Sequence, residues 1–138
     1  RLVQLIDATG QPYDFVAKGD RRTYADLVTP AGLREIATYA QGVGVQKNLI
    51  LPRDAQDRLL PATTLVRDAH REGLAVHAWT LRAENFFLPE DFRVGNAPQE
   101  RGDLAGEVRA FLATGLDGFF TDHPGIGRSA RDSPPPAR

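Results

Sequence analysis

The chain has 138 residues, with 17 Lys and Arg against 18 Asp and Glu, and a formal net charge of −1. That balance offers no basic face for a nucleic acid, and no apolar run approaches the ~20 residues a membrane helix needs. The absence of cysteine excludes disulfides and thiolate metal sites. There is also no methionine, even at position 1, so the chain is expected to be a processed product or one piece of a longer sequence, with any signal peptide upstream.

Leu2–Ile6 predicts the first strand, apolar but for Gln4, which belongs at an edge or points into a site. Asp7 to Thr29 is expected to be a long loop in which Tyr13, Phe15 and Tyr24 pack against something. Thr29 as N-cap, Pro30 at the first helical position, and Leu33, Ile36 and Ala37 at helical spacing predict a helix to Thr38 or Tyr39. Ala40–Val45 is expected to be a strand, although Gly42 also suits a helix C-cap. Gln46, Lys47 and Asn48 follow at its carboxyl end, and Leu49 to Leu60 carries no clear element.

Pro61–Gly73 predicts a second helix with Leu65, Val66 and Ala69 inward, stopped by Gly73. Leu74–Leu81 is the central strand. Alternation puts Val76, Ala78 and Thr80 on one face and His77, Trp79 and Leu81 on the other. Arg82–Arg101 is a loop rich in phenylalanine. Asp103 then caps a helix whose Leu104, Val108, Phe111 and Leu112 form an amphipathic stripe ending at Gly115. Leu116–Thr121 is the last strand, Pro124–Ala130 a short closing helix, and residues 132–138, with their proline run, a disordered tail beyond a 1–131 domain.

Four strand–helix units, with polar residues at the strand carboxyl ends, predict a parallel α/β protein built as half of an eight-stranded barrel. Such a half has two open edges, a liability that points to a missing front half. The candidates for chemistry are sparse. His70, His77 and His123 match no metal spacing, and no paired carboxylates or Gly-rich phosphate loop occur. His70 suits a helix surface and His123 a loop cap, while His77 lines a site or fills a satisfied core position. Arg82, Glu84 and Asn85 cluster at a strand end. The guanidinium fork of Arg82 suits phosphate, and a local Arg82–Glu84 pair is the plainer alternative. Trp79 is core or ligand platform. These residues assemble no nucleophile–base pair and no complete metal site.

VHAWTLRAENFFLP (Val76–Pro89) and GDLAGEVRAFLATGLDGFFTDHP (Gly102–Pro124) resemble the C-terminal half of a glycerophosphodiester phosphodiesterase, most closely the bacterial, often periplasmic, branch. LVQLI is similar to that branch's fifth barrel strand, YAQGVG with LILPRD to the sixth strand and its loop, and LVRDAHREGLAVHAWTLRAEN to the sixth helix and seventh strand. The resemblance implies a TIM barrel that hydrolyses glycerophosphodiesters to an alcohol and glycerol 3-phosphate, using Ca²⁺ or Mg²⁺ and two histidines. In the family those histidines and the metal carboxylates lie in the first half of the barrel, and none of their motifs occurs here. The resemblance therefore implies no catalytic or metal residue in this chain, and an N-terminal half-barrel as its partner. By the same resemblance Trp79 lines the substrate pocket, His77 faces inward, and Gln4 faces the mouth. Arg82, Glu84 and Asn85 belong to the loop beside it, and Phe119 points inward from the last strand. His123 to Gly127 departs from the family pattern. A periplasmic or secreted location follows from the branch. The alternative is a non-catalytic half-barrel that acts as an interaction or scaffolding module.

Overall fold

The computed structural model describes residues 1–133. Its elements are β1 (Val3–Ile6), α1 (Tyr13–Lys18), α2 (Tyr24–Leu27), α3 (Pro30–Ala37), β2 (Gly42–Gln46), α4 (Leu65–Arg71), β3 (Ala75–Leu81), α5 (Leu104–Leu112), β4 (Gly118–Thr121) and α6 (Pro124–Asp132). The four strands form one sheet in the order β1-β2-β3-β4, every pair parallel. This is an α/β fold of four parallel strands alternating with helices, the arrangement of part of a TIM barrel.

Strand register divides the side chains between two faces. Gln4, Val43 and Val76 stand in one row, and Ile6, Val45 and Ala78 in the next. On that face Ile6, Val43, Val45, Val76 and Ala78 are fully buried. They pack against Leu33 and Ile36 of α3, Leu65, Val66 and Ala69 of α4, and Leu104, Val108 and Phe111 of α5. The other face carries the row Leu5, Gly44, His77 and Gly118. It is open: Val3, Leu5 and Phe120 are 43%, 60% and 54% exposed. The helices therefore cover one side of the sheet, and among the described residues the side that would face a barrel interior is uncovered.

Local chemistry explains most boundaries. The Thr29 hydroxyl accepts the Gly32 N–H, and Pro30 supplies the fixed φ of a first helical turn, so α3 begins where the sequence predicts. Gly42 lies inside a strand and does not cap a helix, and a Cβ there would come within 2.9 Å of the Ala75 carbonyl oxygen. α4 starts at Leu65, four residues later than expected. Thr63 is tied back to the preceding turn by its N–H to the Ile50 carbonyl and its hydroxyl to the Leu49 carbonyl, which keeps residues 61–64 out of the helix.

Three further expectations change. The stretch 7–29 is not one loop, since it carries α1, ended by Gly19 in the left-handed region, and α2, opened by a Thr23–Asp26 capping box. In β3 the alternation holds only as far as Trp79. Pairing with β4 shifts register between Ala78 and Leu81, and Leu81 is fully buried with Val76 and Ala78, away from the face of His77. Finally, α6 runs through Asp132, which the tail was expected to include. The remainder of that predicted tail, residues 134–138, lies outside the described residues.

Candidate functional site

The carboxyl ends of β2, β3 and β4 meet at Trp79. Its indole N–H donates to the Gly44 carbonyl at 2.9 Å, which pins the ring across β2 and leaves it half-buried. Leu5, Trp79, Thr80, Phe120, Thr121 and Asp122 line a mainly apolar cavity of about 440 Å³. His77 lies on the same open face, its ring edge-on to Phe120 with centroids 6.3 Å apart. Gly118 makes room for it, because a Cβ at that position would lie 2.9 Å from His77 Cδ2.

Arg82 leaves β3 and reaches β4. Its Nε lies 2.7 Å from Asp122 Oδ2, as an ion pair without hydrogen-bond alignment, and its guanidinium covers the Phe87 ring at 4.6 Å. Glu84 turns the other way, toward His123, with Oε1 at 3.8 Å from Nε2. The local Arg82–Glu84 pair is thus replaced by an Arg82–Asp122 pair that ties the β3 loop to the end of β4, with Glu84 turned toward His123.

The structure removes three expected residues from the mouth. Gln4 faces the helices, where its Oε1 accepts the Tyr39 hydroxyl at 3.1 Å and its amide donates to the Leu5 carbonyl. Phe119 pairs with Ala78 in register and packs toward α6, so close that a Cβ on Gly127 would meet its ring at 2.9 Å. Phe120 takes the place beside His77 instead. Asn85 is only 3% exposed. It donates to the Val94 and Ala97 carbonyls and accepts the Val94 N–H, so it fastens its own loop shut. His77, Trp79, Arg82 and Glu84 remain around the strand ends.

The glycerophosphoryl diester phosphodiesterase family matches residues 2–126. The chain belongs to this family. It is 37% identical over 132 residues to glycerophosphodiester phosphodiesterase GDPD6 of Arabidopsis thaliana, a match covering 90% of this chain and 33% of that protein. Glycerophosphodiester phosphodiesterase GDPDL3 of the same plant is 34% identical over 106 residues, covering 75% of this chain and 12% of that protein. GDPDL7, also from Arabidopsis thaliana, is 50% identical over 95 residues, 67% of this chain and 12% of its own length. The chain therefore spans a third or less of these relatives. They are plant proteins, so the bacterial periplasmic branch suggested by the sequence finds no support in them.

Within this family member one buried group escaped the sequence. Lys47, at the end of β2, is 5% exposed, and Glu107 on α5 is fully buried. Lys47 Nζ donates to Glu107 Oε1 at 2.6 Å and to the Phe87 carbonyl at 2.8 Å. Arg53 donates to the same carbonyl at 2.8 Å and lies 3.6 Å from Glu107. Burial pushes the Glu107 carboxyl up and the Lys47 ammonium down, and the attraction between them opposes both shifts. The signal was present in the sequence: Glu107 sits three residues after Leu104 and four before Phe111, inside the apolar stripe.

Among the described residues no three His, Asp or Glu side chains converge as a metal site requires. At the mouth Asp122 pairs with Arg82, while Glu84 Oε1 lies 3.8 Å from His123 Nε2, beyond hydrogen-bond distance. These residues do not fit a divalent ion.

Proposed function

We propose that this chain forms the substrate-pocket half of a glycerophosphodiester phosphodiesterase, an enzyme that hydrolyses glycerophosphodiesters to an alcohol and glycerol 3-phosphate. The observation that carries the proposal is the family match over residues 2–126. The cavity at Trp79 and the cation of Arg82, side by side at the strand carboxyl ends, support it. In parallel α/β proteins that is where ligands bind.

Diester hydrolysis needs an acid–base pair and stabilisation of charge at phosphorus. At the strand ends this chain would contribute the pocket walls and the Arg82 guanidinium. Catalytic histidines and the carboxylates for a Ca²⁺ or Mg²⁺ ion are assigned to sequence outside this chain, and the chain alone is expected to be inactive. Trp79, with Leu5 and Phe120, would exclude water around the organic part of the substrate. Its ring face would hold a choline ammonium by a cation–π contact of roughly 0.5–2 kcal/mol.

The test is hydrolysis of glycerophosphocholine with either ion, by this chain alone and by the longest polypeptide its gene encodes. Activity in the longer polypeptide only supports the proposal. Activity in neither, with glycerophosphoethanolamine and glycerophosphoinositol also inert, overturns it. A second reading, a half-barrel interaction module, is favoured by the exposed Val3, Leu5 and Phe120 and by the outer edges of β1 and β4, which pair with no other strand among the described residues. Inactivity of the longer polypeptide, together with stable self-association of this chain, would support it.

A further inference from the structure

The loops that follow β2 and β3 are clasped together through backbone carbonyls. Lys47 and Arg53 both donate to the Phe87 carbonyl, each at 2.8 Å. Arg93 Nε donates to the carbonyls of Asn85 and Leu88, each at 3.0 Å. Cations thus hold the carbonyls of Asn85, Phe87 and Leu88, and charged donors make stronger hydrogen bonds than neutral ones. Asp57 joins the two sets. Its carboxylate receives Arg53 at 3.1 Å and also Arg93, and its carbonyl accepts the Glu90 N–H at 2.9 Å. Asp57 sits at φ 62°, in the left-handed region, which a residue other than glycine keeps where its surroundings over-determine it. Arg53 stands at the centre of the clasp. Its side chain is 13% exposed and meets Phe87, Asp57 and Glu107 at once.

We infer that Arg53 is a positioning residue for the strand-end pocket, acting on Arg82 through Phe87. The carbonyl of Phe87 is held by the cluster, and its ring lies under the Arg82 guanidinium at 4.6 Å. Asp122 holds the same guanidinium from the end of β4 at 2.7 Å. Arg82 is 38% exposed, so its long side chain would sample many rotamers without these two neighbours. Arg53 itself does not line the cavity at Trp79. It fixes the backbone at residue 87, the backbone fixes the ring, and the ring sets where the cation stands. Lys47 bonds the same carbonyl, but as a point charge spent on Glu107. Among the described residues only the Arg53 fork ties the Phe87 carbonyl to Asp57. The inference rests on the phosphodiesterase reading only for what the pocket does, because the coupling of Arg53 to Arg82 belongs to the loops themselves.

The experiment uses the longest polypeptide its gene encodes, isotope-labelled at arginine, and reads two signals. The first is the side-chain NMR resonance of Arg82, assigned by its loss in Arg82→Gln. The ring current of Phe87 displaces that resonance upfield, and Phe87→Leu gives its value without the ring. The inference expects Arg53→Ala to move the resonance most of the way to that value in a protein that circular dichroism shows to be folded. Arg53→Lys should recover part of the displacement. An unmoved Arg82 resonance in folded Arg53→Ala overturns the inference. The second signal is kcat/KM for glycerophosphocholine with Ca²⁺ or Mg²⁺. Arg53→Ala should lower it about tenfold in the wild-type background, since small misplacements from remote changes are costly. In the Arg82→Gln background the same change should cost less than about twofold, because the residue it acts through is already gone. Equal losses in both backgrounds make Arg53 a residue of the fold only and overturn the inference. If Arg53→Ala does not fold, Asp57→Asn replaces it under the same criteria. Asn keeps a residue at ease in the left-handed region and removes the charge that holds Arg53 and Arg93. If the wild type hydrolyses no glycerophosphodiester, the phosphodiesterase reading falls and the Arg82 resonance alone decides the inference. Hydrolysis with an unmoved resonance does the reverse.

Discussion

Replacing Lys47 by Met isolates the energetics of the buried pair. Glu107 is fully buried, with Lys47 Nζ at 2.6 Å and Arg53 at 3.6 Å from the same oxygen, while Oε2 has no partner. Removing one member of a buried pair costs about 3–5 kcal/mol, because the other charge stays buried. Arg53 remains beside Glu107 and the Phe87 carbonyl keeps its second donor, so Lys47→Met should fall near the lower end, about 3 kcal/mol. That is a large share of a typical domain stability of roughly 5–15 kcal/mol. The penalty also depends on pH in a defined direction. Glu107 is pushed up in the folded state, so between its unfolded and folded pKa the folded chain holds a proton that the unfolded chain lacks. Stability therefore rises as pH falls through the folded value, and the variant should recover ground on wild type under mild acid. Changing both residues, Lys47→Met with Glu107→Leu, removes the uncompensated charge and should return to within about 1 kcal/mol of wild type. Urea unfolding followed by circular dichroism measures all three proteins. A loss below about 1 kcal/mol in Lys47→Met, or a double variant as unstable as the single one, would refute the reasoning.

Other substitutions test other parts of the structure. Asn85→Ala removes three hydrogen bonds to the backbone of residues 94–97 and should cost about 1–3 kcal/mol, with faster hydrogen exchange at Val94 as the local signature. Gly32→Ala should be severely destabilising, since its Cβ would lie within 2.7 Å of backbone at Leu27. At Gly44 the nearest obstacle is the movable Leu5 side chain, so Gly44→Ala should shift the melting temperature far less. Asp117 joins β3 to α4 by accepting the Val76 N–H at 2.7 Å and meeting His70 Nε2 at 2.8 Å. Partial burial pushes its carboxyl up, but the Val76 N–H and His70 outweigh it and hold the carboxyl below its usual range. Asp117→Ala should cost about 1 kcal/mol at neutral pH. That contribution is present above the unfolded carboxylate pKa of about 3.9 and is lost as pH falls through the depressed folded value, so the two melting curves should converge in acid.

Much of the fold could be read because local signals agreed with one another. Thr29-Pro30 and Asp103 mark helix starts, and the stripes of α3 and α5 are the surfaces that meet the sheet. Trp79 and His77 could be placed together because strict alternation holds from Ala75 to Trp79. Gln4 and Phe119 could not be placed, because which face a residue takes depends on pairing register, and a slip of one residue exchanges the faces. Phe119 and Phe120 are chemically identical neighbours, so composition does not choose between them. Asn85 looks like a site residue in a polar loop, and only the return of the chain at Val94 and Ala97 shows that its amide is consumed. The Lys47–Glu107 contact spans 60 residues of sequence, beyond any local pattern. α1 and α2 are one or two turns long and bury almost nothing, so no stripe announces them.

The most direct test of the pocket assignment is the effect of Trp79→Ala on glycerophosphocholine hydrolysis by the longest polypeptide its gene encodes, with Ca²⁺ or Mg²⁺ supplied. Trp79 walls the cavity at the strand ends. Its loss should lower kcat/KM at least tenfold, about 1.4 kcal/mol of transition-state stabilisation, in a protein that still folds by circular dichroism. A folded Trp79→Ala protein with wild-type kcat/KM would contradict the assignment of these strand ends as the substrate pocket.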